Sequence, residues 1–254
     1  MDEVSVRTGA AATEVEARLG ELARRHRAAG GIGMKLVSLA GGTAQNLLER
    51  LPDRVKDRLE EATASALERA LDAAAVSRGM VADRGDWLNS VVTAALGAAG
   101  GAGGLPTALA ELPVTTTILL RSIQGIAAEH GFDPADDSTR ADCIRVFASA
   151  GPLTNDDAAD LGFLAARVTI SGRTLQTLIA KVAPRLSAVF GQKLAAQAAP
   201  VAGAVTGAWI NYVFTSYYQE MARVHFGLRK LAEETGEDRE ALAARLRAKL
   251  VAKE

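Results

Sequence analysis

The sequence predicts an all-α protein, a multi-helix bundle with two central apolar helices rich in alanine and glycine. Apolar residues recur at spacings of three and four along most of the chain, and no convincing length alternates as a strand would. Aromatic residues make up only 4% while alanine and glycine abound, so helices must approach one another closely instead of packing on large rings. Two long stretches, Trp87 to Ala110 and Leu194 to Gln219, hold no charged residue.

Taken in order, Thr13 to Ala29 reads as a charged helix with Val15, Leu19 and Leu22 on one side and Arg24, Arg25, His26 and Arg27 at its end, where cations suit the dipole. Gly31 to Leu51 is a second, mostly apolar piece. Pro52 and Asp53 then open a helix to about Arg78, with a stripe of Val55, Leu59, Ala62, Ala66, Leu67, Ala70, Leu71 and Ala74. Trp87 to Ala110 is long enough for a membrane span, but Gly100, Gly101, Gly103, Gly104 and Pro106 are poor helix formers. A shorter helix and a glycine turn are expected there. The first central helix spans Glu111 to His130, with a break at Pro113, a stop at Gly131, and Thr115, Thr116 and Thr117 placed to satisfy amides at its start.

Beyond the stop, Asp136 and Asp137 read as solvated caps of a short helix that leads into Ile144, Val146 and Phe147. Asn155, Asp156 and Asp157 look like a further helix start. Ala158 to Arg173 and Thr174 to Ala198 are two more helical patterns, the latter interrupted by Pro184. The second central helix runs from near Val201 to about Glu234. A charged tail from Glu237 carries Leu242, Leu246 and Leu250 at spacing four. By these patterns the chain divides into an N-terminal charged helix over 1–30, a helical domain over 31–236 and a C-terminal amphipathic helix over 237–254.

Composition excludes several functions. Lys plus Arg (29) nearly balances Asp plus Glu (30), which argues against the basic surface that non-specific nucleic-acid binding needs. Cys143 stands alone, so no intrachain disulfide forms, and it reads as a small core residue. The N-terminus has early acids and no apolar run of signal-peptide length, so cytoplasmic residence is expected, with attachment to the inner membrane face as a variant. His26, His130 and His225 make no HExxH or Cys-His pattern. No GxSxG, Walker or dinucleotide-binding loop occurs, so the sequence argues against an enzyme and implies no catalytic residue, metal or cofactor.

One constellation stands out. Arg121 sits on the apolar helix pattern and needs water or acceptors. On the second central helix, Asn211, Tyr218, His225 and Arg229 lie within about 40° of one another. One reading is a solvated surface stripe. The other is a polar centre of Glu111, Thr115, Thr116, Arg121, Asn211, Tyr218 and His225.

The blocks ELPVTTTILLRSI, IAAEHGFD, CIRVFA and APVAGAVTGAWINYVFTSYYQEMARVHFGLRKLAEETG follow one another in an order that resembles the EcsC protein family, from about Lys35 to Gly236. Ile144, Arg145 and Ser149 depart from the family's commoner choices after the cysteine. The resemblance implies a helical protein near membrane or transport functions and carries no catalytic residue over. With the uncharged blocks, it leads to the expectation of a membrane- or lipid-associated binding domain, taking a lipid or hydrophobic ligand through a peripheral membrane contact and no nucleic acid. A soluble scaffold or interaction module is the second expectation, and an atypical hydrolase the third.

Overall fold

The computed structural model describes residues 3–40, 49, 51, 53–80, 112–147, 149, 172–197 and 204–252. The fold is all-α, and no strand occurs among these residues. In chain order the helices are α1 (Glu3–Ala40), α2 (Asp53–Met80), α3 (112–129), α4 (Asp137–Val146), α5 (Gly172–Gln197), α6 (Ala204–Thr235) and α7 (Arg239–Val251).

α6 is the axle. Its 32 residues span about 48 Å, and α1, α4, α5 and α7 all pack against it. The pairings fix direction. Arg18 pairs with Glu234, Gly227 faces Leu22, and Arg25 reaches Glu220, so α1 runs antiparallel to α6. α3 runs parallel to it, since Gln219 donates to Ser122 at 2.9 Å while Phe132, just past α3, meets Phe226 at a centroid distance of 5.7 Å. α4 is antiparallel again: Thr139 faces Arg229, and Phe147 packs on Tyr218 at 5.2 Å. α7 folds back beside α1, where Arg245 and Lys249 both hold Glu16 at 2.6 Å.

Short turns set these directions. Gly131 adopts φ +87°, its N–H reaches the Ala128 carbonyl, and the Phe132 N–H reaches Ala127; this double closure ends α3 as expected and turns Phe132 inward. Gly236, at φ +69°, closes α6 through Ala232, and Asp238 caps α7 by accepting from the amides of Glu240 and Ala241.

Five local expectations are corrected. α1 does not stop near Ala29; it continues through Gly30, Gly31 and Gly33. Glycine costs a helix about 1 kcal/mol per position but forbids nothing, and packing on α6 and α7 outweighs that. Arg25 and Arg27 therefore lie mid-helix and are satisfied sideways, Arg25 by Glu21 and Glu220 and Arg27 by the Lys249 carbonyl. Pro184 does not interrupt α5: the carbonyl it frees, that of Ala180, lies where both residues are exposed, and the Ser187 hydroxyl donates to the Pro184 carbonyl at 2.8 Å. Pro113 does not break α3: it is exposed, and residues 112–129 are helical through it. The hydroxyls of Thr116 and Thr117 donate back to the carbonyls of Leu112 and Pro113 instead of accepting from free amides. On α2 the buried stripe passes through Thr63, which donates to the Leu59 carbonyl, and Ala62 is exposed. The expectations for 81–110 and for 150–171 lie outside the described residues.

A β-carbon on Gly227 would stand 2.8 Å from a methyl of Leu22, so α1 and α6 meet there at glycine distance. Gly227→Val should cost about 1–3 kcal/mol by forcing the helices apart. Gly227→Ala should be nearly neutral, because better helix propensity offsets a small shift of the flexible Leu22. Urea midpoints of the two variants measure this, and equal midpoints for valine and wild type would refute the close approach.

Candidate functional site: a buried arginine cluster

α4 has apolar residues all round, and from Ala141 to Val146 every residue is buried. Its charged residues go inside with it. Asp142 and Arg145, one turn apart, form an ion pair of 2.6 Å in which each side chain is only 4% exposed. Two further arginines converge on the same carboxylate. Arg229, from α6, donates to Oδ2 at 3.1 Å, and Arg239, from the first turn of α7, approaches Oδ2 at 3.4 Å.

His225, one turn before Arg229, is fully buried and places Nε2 3.2 Å from Asp142 Oδ1. Arg239 Nη2 lies 3.2 Å from its Nδ1 and 2.8 Å from its Nε2. Burial first, and the Arg239 and Arg145 charges next, depress the imidazole pKa to about 4 against the opposing pull of Asp142. The neutral ring then donates from Nε2 to Asp142, a tautomer assigned from the carboxylate, while the Arg239 guanidinium lies against both ring nitrogens. Burial pushes the Asp142 carboxyl up, but the electrostatic attraction and hydrogen bond of His225, followed by the Arg239 and Arg145 guanidiniums, outweigh it and hold the carboxyl well below the usual range.

Arg229 forms the rim of the cluster. Its side chain is 17% exposed, its guanidinium carbon stands 4.0 Å from the Phe132 ring centroid, and Nε reaches the exposed Glu233 at 3.3 Å. At the other extreme, Arg145 Nη2 is buried and has no hydrogen-bond partner among the described residues.

His225 is enclosed by its partners, with Asp142 at Nε2 and the Arg239 guanidinium within 3.2 Å of both ring nitrogens. Among the described residues no group of three His, Cys, Asp or Glu could hold a metal.

The residues that the sequence singled out fall at separate levels of α6. His225 lies in the cluster with Arg229. Tyr218 is buried about 10 Å along the helix, between Phe147 and Tyr217, and the α3 register sets the half-buried Arg121 at that level. Asn211, Thr115 and Thr116 are buried a further two turns away. Glu111 lies outside the described residues. Asp142, Arg145 and Arg239 were not singled out by the sequence. The only signal for Asp142 and Arg145 is that Ala141, Cys143, Ile144 and Val146 fall on different sides of α4, so that its C-terminal half, unlike the exposed Asp137 and Ser138, is enclosed.

The sequence profile of the EcsC protein family matches residues 78–231, which include α3, α4, α5 and most of α6. That span takes in Asp142, Arg145, His225 and Arg229, while Arg239 lies just beyond it. No curated protein and no solved structure matches the chain.

Proposed function

We propose that this chain, which belongs to the EcsC protein family, is a lipid-associated binding domain that touches a membrane surface with one end of its bundle. The observation that carries this reading is the segregation of charge along α6. From Ala204 to Gln219 the helix has no formal charge, whereas from Glu220 onward it is lined by ion pairs to α1 and α4. α3 follows the same polarity, with no charge from residue 112 to 120. Because α3 and α6 run parallel in the register set by Ser122 and Gln219, the exposed Val114 and the exposed Tyr212 lie at about the same level. Pro113 is exposed beside Val114, and Trp209 is half-buried one turn before Tyr212.

A tyrosine and a half-buried tryptophan on an uncharged end are side chains suited to the headgroup level of a bilayer, with an apolar body and a polar tip. Among the described residues no helix is long and apolar enough to cross a membrane, and the reading concerns surface contact. Wild-type protein should float with phosphatidylcholine–phosphatidylglycerol vesicles and be released by carbonate. The double variant Val114→Asp/Tyr212→Asp should lose most of that binding, roughly tenfold, since each charge must be desolvated on contact. Vesicle binding unchanged in the double variant would refute the contact; a wild type that ignores vesicles would favour a scaffold module.

A further inference from the structure

We infer that the groove between α1 and α7 is a receptor for a small phosphate-bearing anion. Gly20, Ala23, Arg24 and Arg27 recur at spacings of three and four and so share one face of α1, where Lys249 and Ala252 meet them from the end of α7. Together they line a cavity of about 290 Å³ whose uncharged lining is glycine and alanine and whose charged groups are all cations. Lys249 pairs with Glu16, but Arg24 and Arg27 have no carboxylate partner among the described residues. Arg27 donates instead to the Lys249 carbonyl, which ties its guanidinium to α7. The carbonyl end of α7 offsets about half a charge, and more than one positive charge remains. Arg24 Nη1 stands 3.9 Å from the place of a Gly20 β-carbon and nothing else lies within 4 Å of it, so the groove is open up to that guanidinium. A phosphate carries close to two negative charges at neutral pH, and guanidinium forks match its oxygens.

The volume is at the small end for ligand pockets, and no aromatic ring lines it on which a nucleobase could stack. The room is therefore for a phosphate with a small organic remainder. Arg24 and Arg27 are both exposed, so the anion enters without any rearrangement of the helices. The groove is distinct from the lipid-facing end. Leu22 of α1 faces Gly227, which is about 22 Å along α6 from Tyr212, and Arg27, the nearest lining cation, is still about 15 Å from that level. A headgroup bound at the uncharged end does not reach it, and the assignment is to a soluble phosphate compound. It stands whether or not the vesicle result holds.

The test is an NMR titration of the full chain with inorganic phosphate against chloride at equal ionic strength. Amide signals around Ala23 and Lys249 should shift and saturate with a Kd of about 1–10 mM. Arg24→Gln should weaken binding about tenfold, the size of one hydrogen bond to a charged group, and it removes no contact that holds the fold. Gly20→Leu keeps every charge but fills the groove, and should lose the binding as well. Arg69→Gln takes the same charge from the exposed side of α2 and should bind as the wild type does. No saturable shift in wild type, or undiminished binding by either Arg24→Gln or Gly20→Leu, overturns the assignment. An equal loss in Arg69→Gln overturns it too, since diffuse charge would then explain the affinity. Arg24-dependent binding to phosphatidic acid vesicles without a response to inorganic phosphate overturns the soluble source.

Discussion

Asp142→Ala should destabilise the protein by about 3–5 kcal/mol, the size expected when one partner of a buried ion pair is removed. The carboxylate is the only anion in the buried part of the cluster among the described residues, and it serves Arg145, Arg229, Arg239 and the His225 N–H together. Its removal takes a shared acceptor from all four at once. That is a large fraction of the roughly 5–15 kcal/mol by which domains are stable. Urea unfolding of Asp142→Ala beside wild type measures it, and a loss below about 1 kcal/mol would show that the guanidiniums find water or other acceptors. The arginines are not equivalent to the aspartate. Combining Asp142→Ala with Arg145→Met should cost less than Asp142→Ala alone, because the second change removes a cation the first has stranded; such non-additivity is diagnostic of a shared network.

The helices were legible because burial writes itself into spacing. α7 announced itself by Leu242 and Leu246, both buried, with Leu250 half-buried, and α6 by an apolar run that begins and ends within a few residues of the expectation. Helix ends were less legible where glycine and proline allow two outcomes, and tertiary contacts chose: α1 passes its glycines and α5 passes Pro184. Two of the five cluster residues could be read, and only His225 of them as part of the expected polar centre. His225 and Arg229 share a face of α6 by period alone, and both lie in the cluster. Their partners come from a helix 83 or more residues earlier and from the tail, and no local pattern encodes a contact of that separation. Arg239 looked like one charge among many in a tail where Arg245 and Lys249 pair at the surface with Glu16; only the turn at Gly236 aims the first of these cations inward.

Acidification should weaken the protein between pH 6.5 and 4 through His225. The unfolded histidine takes up a proton near pH 6.5, whereas the folded imidazole resists until about pH 4, so across this window the unfolded state binds more protons and stability falls as pH falls. The full effect is about 3 kcal/mol at pH 4, of which about 2 kcal/mol is already lost at pH 5. The groups that set it face the ring from each element packed there: Asp142 and Arg145 from α4, Arg229 from α6 itself and Arg239 from α7. Only Asp142 favours protonation, and it is outnumbered. Below pH 4 the loss continues by a separate route, since unfolded Asp142 then takes up a proton that the folded carboxylate refuses. His225→Gln keeps a donor for Asp142 but cannot titrate. Its stability between pH 7.5 and 5 should therefore decline by about 2 kcal/mol less than that of the wild type, whatever the other histidines contribute to both. Parallel pH profiles for the two proteins would mean that the folded imidazole gains its proton as readily as the unfolded one, and the neutral tautomer held between Asp142 and Arg239 would have to be abandoned.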